Sequence, residues 1–412
     1  MIPGGRETGS FAEYSLYIHV PFCRSFCDYC DFYSVLLDPS REGRALAERY
    51  IDTLTGDARR LFRTLPPSQV PTVYIGGGTP PVLGPDGMGR LLAALNGLLP
   101  PAEDREWTLE ANPESLDRAF LRVCREGGVN RLSLGIQSFS PRSRALVHRG
   151  GGVEAIKYGL ALAAEFFPAN FSVDFMAGLP GQDSGVLLGD IKRVLGFHPA
   201  HISLYALTLE EGTPLWDRQG ELAPRETADS LWITGRDALE GAGYGQYEVS
   251  NFSLPGKESR HNLRYWMMKN WLALGPSGSG TLIDEGRGTG LRFSWPADLE
   301  SWLSSGGSSR GILPAAETLD RLTLMKESLL MGFRCTRGPE AGLFARRFGL
   351  SLEDAVPQTL AKYRDRGLAV PGNRGEGWAL SKEGLLFLDP FLVEAFGELD
   401  YHFSVESISK SG

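Results

Sequence analysis

Between residues 15 and 210, short β-branched and aromatic runs alternate with longer amphipathic stretches, and that alternation leaves few folds open. The runs are SLYIHV (15–20), TVYIGG (72–77), WTLEAN (107–112), RLSLGI (131–136), FSVDFM (171–176) and HISLYAL (201–207). Helical patterns lie near 41–65, 86–98, 114–126, 141–165, 184–196 and 223–241. Such alternation builds parallel sheets, because each parallel return needs a crossover and a helix supplies it. Six βα units predict an α/β fold with an incomplete barrel. In barrels of this kind functional groups gather at the C-terminal ends of the strands, so the residues closing each run are where chemistry is expected.

The first run leads into PFCRSFCDYC, which sets Cys23, Cys27 and Cys30 in the spacing C-x3-C-x2-C. Three thiolates in one compact loop suit a metal centre and leave one position of a four-coordinate site unfilled. A structural zinc ordinarily has four protein ligands, and an electron-transfer iron–sulfur cluster four cysteines, so the missing ligand implies an exogenous one. The competing readings are a zinc knuckle completed by His19 and thiols that bind nothing. The second run ends in Gly76-Gly77-Gly78-Thr79-Pro80, a turn almost without side chains that lets backbone amides approach a ligand. Glu110 closes the third run, Gln137 follows the fourth and Asp174 lies in the fifth. Carboxylates there accept several hydrogen bonds at once, and Arg149, read as part of the next helix, pairs a carboxylate.

The chain has 412 residues, enough for a large domain and a smaller one, and a net charge of -8. Its acidity argues against nucleic acid as a partner. Five cysteines, three of them clustered, make no disulfide framework and point to a reducing compartment, the cytoplasm. The opening MIPGGRETGSFAEY has no apolar signal core, and no apolar run is long enough to span a membrane. The expected organisation is a barrel over 1–250, a loop-rich connection over 251–312 that carries HNLRYW, and a C-terminal helical domain over 313–412. Helices followed by a small hairpin near WALS give the last a winged-helix-like outline. Cys124 and Cys335 fall in apolar helical contexts and are expected to be buried.

The cysteine spacing resembles that of the radical S-adenosylmethionine (SAM) enzymes, whose [4Fe-4S] cluster leaves its fourth iron to chelate SAM. YIHVPFCRSFCDYCDFYS, GGGTP, LEANPES, GVNRLSLGIQSF, VDFMAGLPGQ and SLYALTLEEGTPL follow, in order, the motifs of the oxygen-independent coproporphyrinogen III oxidase family. The resemblance implies a partial (β/α)6 radical-SAM barrel of the TIM type. It implies that Cys23, Cys27 and Cys30 hold the cluster and that SAM meets Tyr17, Tyr29, Phe32, Gly77, Gly78, Thr79, Glu110, Gln137, Arg149, Asp174 and Ala206. A reduced cluster of this type cleaves SAM to a 5′-deoxyadenosyl radical and draws on a reducing electron donor.

This family has an oxidase branch, which decarboxylates porphyrinogen propionates, and a heme chaperone (HemW-type) branch. Phe32 stands where the oxidase loop carries a further cysteine, and the stretch ahead of the first run is short, so the chaperone branch is the closer likeness. That branch implies heme or porphyrin as cargo and a recipient hemoprotein. Its HNxxYW segment offers His261, Tyr265 and Trp266 as candidate heme contacts, with core packing as the other reading. Two family histidines are replaced here, by Ser279 and Gly151, and His148 and His201 remain as spare imidazoles.

Overall fold

The computed structural model describes residues 13–305, 316–372, 375 and 377–409. The six runs form β1 (Ser15–Val20), β2 (Thr72–Gly77), β3 (Glu106–Ala111), β4 (Arg131–Gln137), β5 (Phe171–Ala177) and β6 (His201–Ala206), paired in parallel in that order. Between and after them lie α1 (Arg41–Thr64), α2 (Gly84–Asn96), α3 (Arg118–Glu126), α4 (Pro141–Leu146), α5 (Val153–Phe166), α6 (Ser184–Leu195) and α7 (Arg225–Gly241). The starts of α1, α3, α4 and α6 are fixed by Ser40, Asp117, Ser140 and Asp183, each accepting a backbone N–H three residues on. The stretch 141–165 is two helices and not one. His148 and Gly151 break it at φ 49° and 79°, and Arg149 therefore sits in a turn.

Side chains alternate along the strands. Leu16, Ile18 and Val20 of β1, Leu132, Leu134 and Ile136 of β4, and Val173 and Phe175 of β5 are fully buried in the main apolar core. The opposite face of the strands is polar and turns inward, with Tyr74, Thr108, Glu110, Arg131, Ser133, Asp174 and His201 around a small cavity of about 40 Å³. A parallel barrel normally fills its interior with branched apolar residues, so a polar interior marks a site and not only a scaffold.

The reading of 251–312 as a loop-rich connection is corrected by further strands. These are β7 (Gly245–Gln246), β8 (Asn251–Ser253), β9 (Trp271–Leu274), β10 (Ser279–Asp284), β11 (Thr289–Ser294) and, beyond it, β12 (Ala316–Leu319). Among the described residues they extend the barrel sheet to twelve strands in the order β12-β11-β10-β9-β1-β2-β3-β4-β5-β6-β8-β7. The glycines that read as loop are packing requirements: a side chain at Gly280 would strike the Phe293 ring, and one at Gly290 would press on Leu319. Two short helices, α8 (Arg260–Trp266) and α9 (Leu299–Ser305), complete this part. Residues 306–312 of the segment, and 1–12 ahead of β1 on which the short-terminus reading rests, lie outside the described residues.

C-terminal to β12, α10 (Arg321–Phe333), α11 (Ala341–Phe348), α12 (Leu352–Ala355), α13 (Pro357–Asp365) and α14 (Leu388–Ser409) enclose a second core. An antiparallel pair, β13 (Ala369–Pro371) with β14 (Trp378–Leu380), supplies the hairpin. Arg347 of the Arg346-Arg347 pair is buried against Glu285 (2.7 Å) and the Met268 carbonyl (3.0 Å), which ties this unit to the barrel. Cys124 and Cys335 are buried.

Candidate functional site

Three loops meet at the C-terminal end of the strands. The chain leaves β1 through Phe22–Cys23, which pairs in parallel with Val35–Leu36, so residues 24–34 form a closed excursion. Its middle is pinned from two sides: the Asp28 N–H donates to the Val147 carbonyl (3.1 Å), and the Leu215 N–H donates to the Asp28 carbonyl (2.9 Å). Cys23 and Cys27 are half-buried and Cys30 is exposed. Among the described residues no three His, Cys, Asp or Glu side chains close on a point that would hold a single metal ion. His19 does not complete a zinc site, because one ring nitrogen meets the Tyr17 hydroxyl (3.0 Å) and the other the Tyr33 carbonyl (2.9 Å). Burial raises the Cys23 and Cys30 thiols above their ordinary range, a cost that coordination to a cationic metal would offset.

The glycine turn differs from its expected role in one respect. Its amides are already engaged: Gly77 N–H donates to Glu110 Oε2 (3.1 Å), Gly78 N–H to the Val20 carbonyl (2.8 Å) and Thr79 N–H to the Phe22 carbonyl (2.7 Å). What the turn presents to a ligand is therefore carbonyl oxygen and bare backbone, which suits an ammonium donor. A Cβ on Gly78 would lie 2.6 Å from the Phe22 carbonyl oxygen and 3.0 Å from Cys23 Sγ, so the turn packs directly on the cysteine loop.

Gln137, Arg149 and Asn112 converge next to Gly135, where an added Cβ would meet Gln137 Nε2 at 3.2 Å, Arg149 Nη2 at 3.5 Å and Asn112 Oδ1 at 3.6 Å. Arg149 donates to Asn112 Oδ1 (2.7 Å) and reaches Cys27 Sγ (3.8 Å), while its Nε is buried without a partner among the described residues. Gln137 is held at φ 69°, and its Oε1 is likewise buried with no partner among the described residues. Buried orphan polar atoms and a left-handed non-glycine residue are costly, and both at one rim mark a place shaped for something else. Asn112, whose amide also donates to Thr79 Oγ1 (3.2 Å), escapes notice in the sequence. Its signal is its place, one residue past the end of β3.

Glu110 and Asp174 lie below this rim, inside the barrel. Tyr74 donates to Glu110 (2.5 Å) and Ser133 to Asp174 (3.2 Å). Burial pushes Glu110 up to about 7 and Asp174 up to about 6. Tyr17 stacks on Tyr74 in the same interior. Tyr29 packs among Val147, Leu179 and Leu215, Ala206 is the last residue of β6, and Phe32 is 63% exposed at the tip of the loop.

The HNLRYW segment is at the other end. It forms α8, whose first amides are capped by Glu106: Arg260 N–H donates to Oε2 (3.1 Å) and His261 N–H to Oε1 (2.8 Å). Arg264 donates to Ser15 Oγ (2.6 Å). Ser15, Thr72 and Glu106 are the first residues of β1, β2 and β3, so α8 closes the N-terminal mouth of the barrel. His261 is buried with Nδ1 on Thr72 Oγ1 (2.8 Å) and Nε2 on the Tyr265 hydroxyl (3.0 Å), and burial pulls it down to about 3. Trp266 faces the C-terminal unit under the Arg334 guanidinium, 4.6 Å away. The structure thus brings His261 and Tyr265 together in packing and sets Trp266 apart from them.

Comparison with known proteins agrees with this geometry. The Radical SAM superfamily pattern matches residues 17–187, and the HemN C-terminal domain pattern matches 319–387. Radical S-adenosyl methionine domain-containing protein 1, mitochondrial, of Bos taurus is 35% identical over 93% of this chain and 88% of its own length. Heme chaperone HemW of Bacillus subtilis is 31% identical over 93% of this chain and 100% of its own. In fold, coproporphyrinogen III oxidase HemN of Escherichia coli superposes with a TM-score of 0.79 at 21% identity, covering 94% of this chain and 91% of that one. The chain belongs to the oxygen-independent coproporphyrinogen III oxidase family of the radical SAM superfamily, on its HemW-type branch.

Proposed function

We propose that Cys23, Cys27 and Cys30 hold a [4Fe-4S] cluster whose open iron takes SAM, and that the chain carries heme for delivery to a recipient hemoprotein. The observation that carries the reading is the rim itself, where three thiols, a bare carbonyl turn and the orphaned Gln137 and Arg149 meet at the end of a polar barrel. Carbonyls of the Gly77–Thr79 turn would accept from the SAM ammonium, Arg149 would pair its carboxylate, and Glu110 and Asp174 would accept from ribose hydroxyls. Tyr17, Tyr29, Phe32, Gln137 and Ala206 complete the proposed enclosure. When bound, the reduced cluster and SAM supply one-electron chemistry, with electrons from an external donor.

Relatives named as heme chaperones support heme as cargo. No helix among the described residues is long and apolar enough to cross a membrane. A reducing compartment, proposed as the cytoplasm, suits the unpaired cysteines. The test incubates anaerobically reconstituted, reduced protein with SAM and either heme or coproporphyrinogen III. A stoichiometric heme complex with no porphyrinogen product is expected. Formation of protoporphyrinogen would replace this reading with the oxidase.

A further inference from the structure

We infer that His148 Nε2 is the iron ligand through which this chain holds heme, an inference that rests on the heme-carrying reading above. His148 Nδ1 lies 2.8 Å from both carboxylate oxygens of Asp28. Asp28 is buried and is itself fixed by Arg218 Nη1 at 2.6 Å. A carboxylate on one ring nitrogen sets the tautomer, keeps the proton there and leaves the other nitrogen with its lone pair outward, which is how metal-binding imidazoles are ordinarily oriented. The His148 side chain is 70% exposed. Among the described residues it alone of the histidines combines an exposed ring with a carboxylate-bonded nitrogen: His19 and His261 have both nitrogens engaged, and His201 is buried against Tyr247.

The surroundings suit a flat apolar macrocycle. Phe26 on the cysteine loop is 51% exposed, and Trp216, next to the Leu215 that bonds the Asp28 carbonyl, is 37% exposed. Large rings left in water on the segments that hold Asp28 offer apolar surface to a planar ligand. His148 takes the left-handed conformation, φ 49°, of a residue just past a helix end, and the Arg149 N–H donation to the Arg144 carbonyl (2.9 Å) fixes that turn of the backbone.

The test titrates hemin into the reconstituted full chain, into His148→Ala and into His198→Ala, whose imidazole lies elsewhere on the surface. Hemin affinity, the Soret band and the iron–imidazole vibration of the ferrous complex are read, with cluster iron measured in parallel. His148→Ala is expected to keep its cluster iron, lose the iron–imidazole vibration and bind hemin at least about tenfold more weakly, and added imidazole is expected to restore the spectrum. His198→Ala is expected to match the wild type. An iron–imidazole signature and affinity that survive His148→Ala would overturn this assignment alone. A wild-type chain that binds no hemin would overturn the heme-carrying reading and this inference with it.

Discussion

The two mouths of the barrel use the same kinds of residue to opposite ends. At the N-terminal mouth, His261 is buried, both its nitrogens are satisfied by hydroxyls, and the helix that carries it is capped by Glu106. At the C-terminal mouth, His148 is exposed with one nitrogen on a carboxylate, while Gln137 and Arg149 keep buried atoms that no described residue satisfies. One end is closed by its own hydrogen bonds, and the other keeps buried polar atoms with no partner among the described residues. A histidine in a motif is thus no indication of a ligand until the fate of both ring nitrogens is known.

That contrast can be broken by substitution, and the largest effect is expected at the cysteines. Cys23→Ala should drop anaerobically reconstituted iron from about four per chain to almost none, measured by iron and sulfide assay. Next, His261→Ala leaves Thr72 and Tyr265 facing a cavity and should cost about 2–4 kcal/mol in denaturant unfolding. Arg149→Ala should leave folding largely intact but weaken SAM binding by about 1.5–3 kcal/mol in calorimetry, the usual worth of a charged hydrogen bond.

Glu110 gives a pH signature. Its ordinary value is 4.5 and burial raises it to about 7 in the folded chain, so between these values the folded form binds the extra proton. Stability of the ligand-free protein should therefore fall as pH rises from 4.5 to about 7. Glu110→Gln should flatten that slope, most of all above about pH 6 where Asp174 is already ionised, gaining about 1–2 kcal/mol at the alkaline end. The smallest effect sharpens the comparison most: His148→Ala should change stability by no more than about 0.5 kcal/mol, as befits an exposed side chain, in contrast with His261→Ala.

The barrel was legible because burial on one strand face and polarity on the other leave a period of two in the sequence. In SLYIHV the outward Leu16, Ile18 and Val20 and the inward Ser15, Tyr17 and His19 can be read directly. The strands after residue 270 were not, because glycine inside them looks like loop punctuation: Gly280 sits within β10 against the Phe293 ring, while Gly275 and Gly278 do lie in the turn between β9 and β10. The cysteine spacing and the residues closing each strand located the rim. What they could not tell is which hydrogen bonds are already spent, as with the amides of Gly77, Gly78 and Thr79. Nor did they reveal pairings across long separations, such as Asp28 with His148 or Arg149 with Asn112, which depend on how two loops fold over the same mouth.

The most direct test of the rim as a cluster and SAM site is electron paramagnetic resonance of the dithionite-reduced, reconstituted chain, recorded with and without SAM. The account predicts a [4Fe-4S] signal that shifts when SAM is added, because SAM enters the coordination sphere of the iron that Cys23, Cys27 and Cys30 leave open. A signal indifferent to SAM, or a protein that retains only zinc, would contradict it.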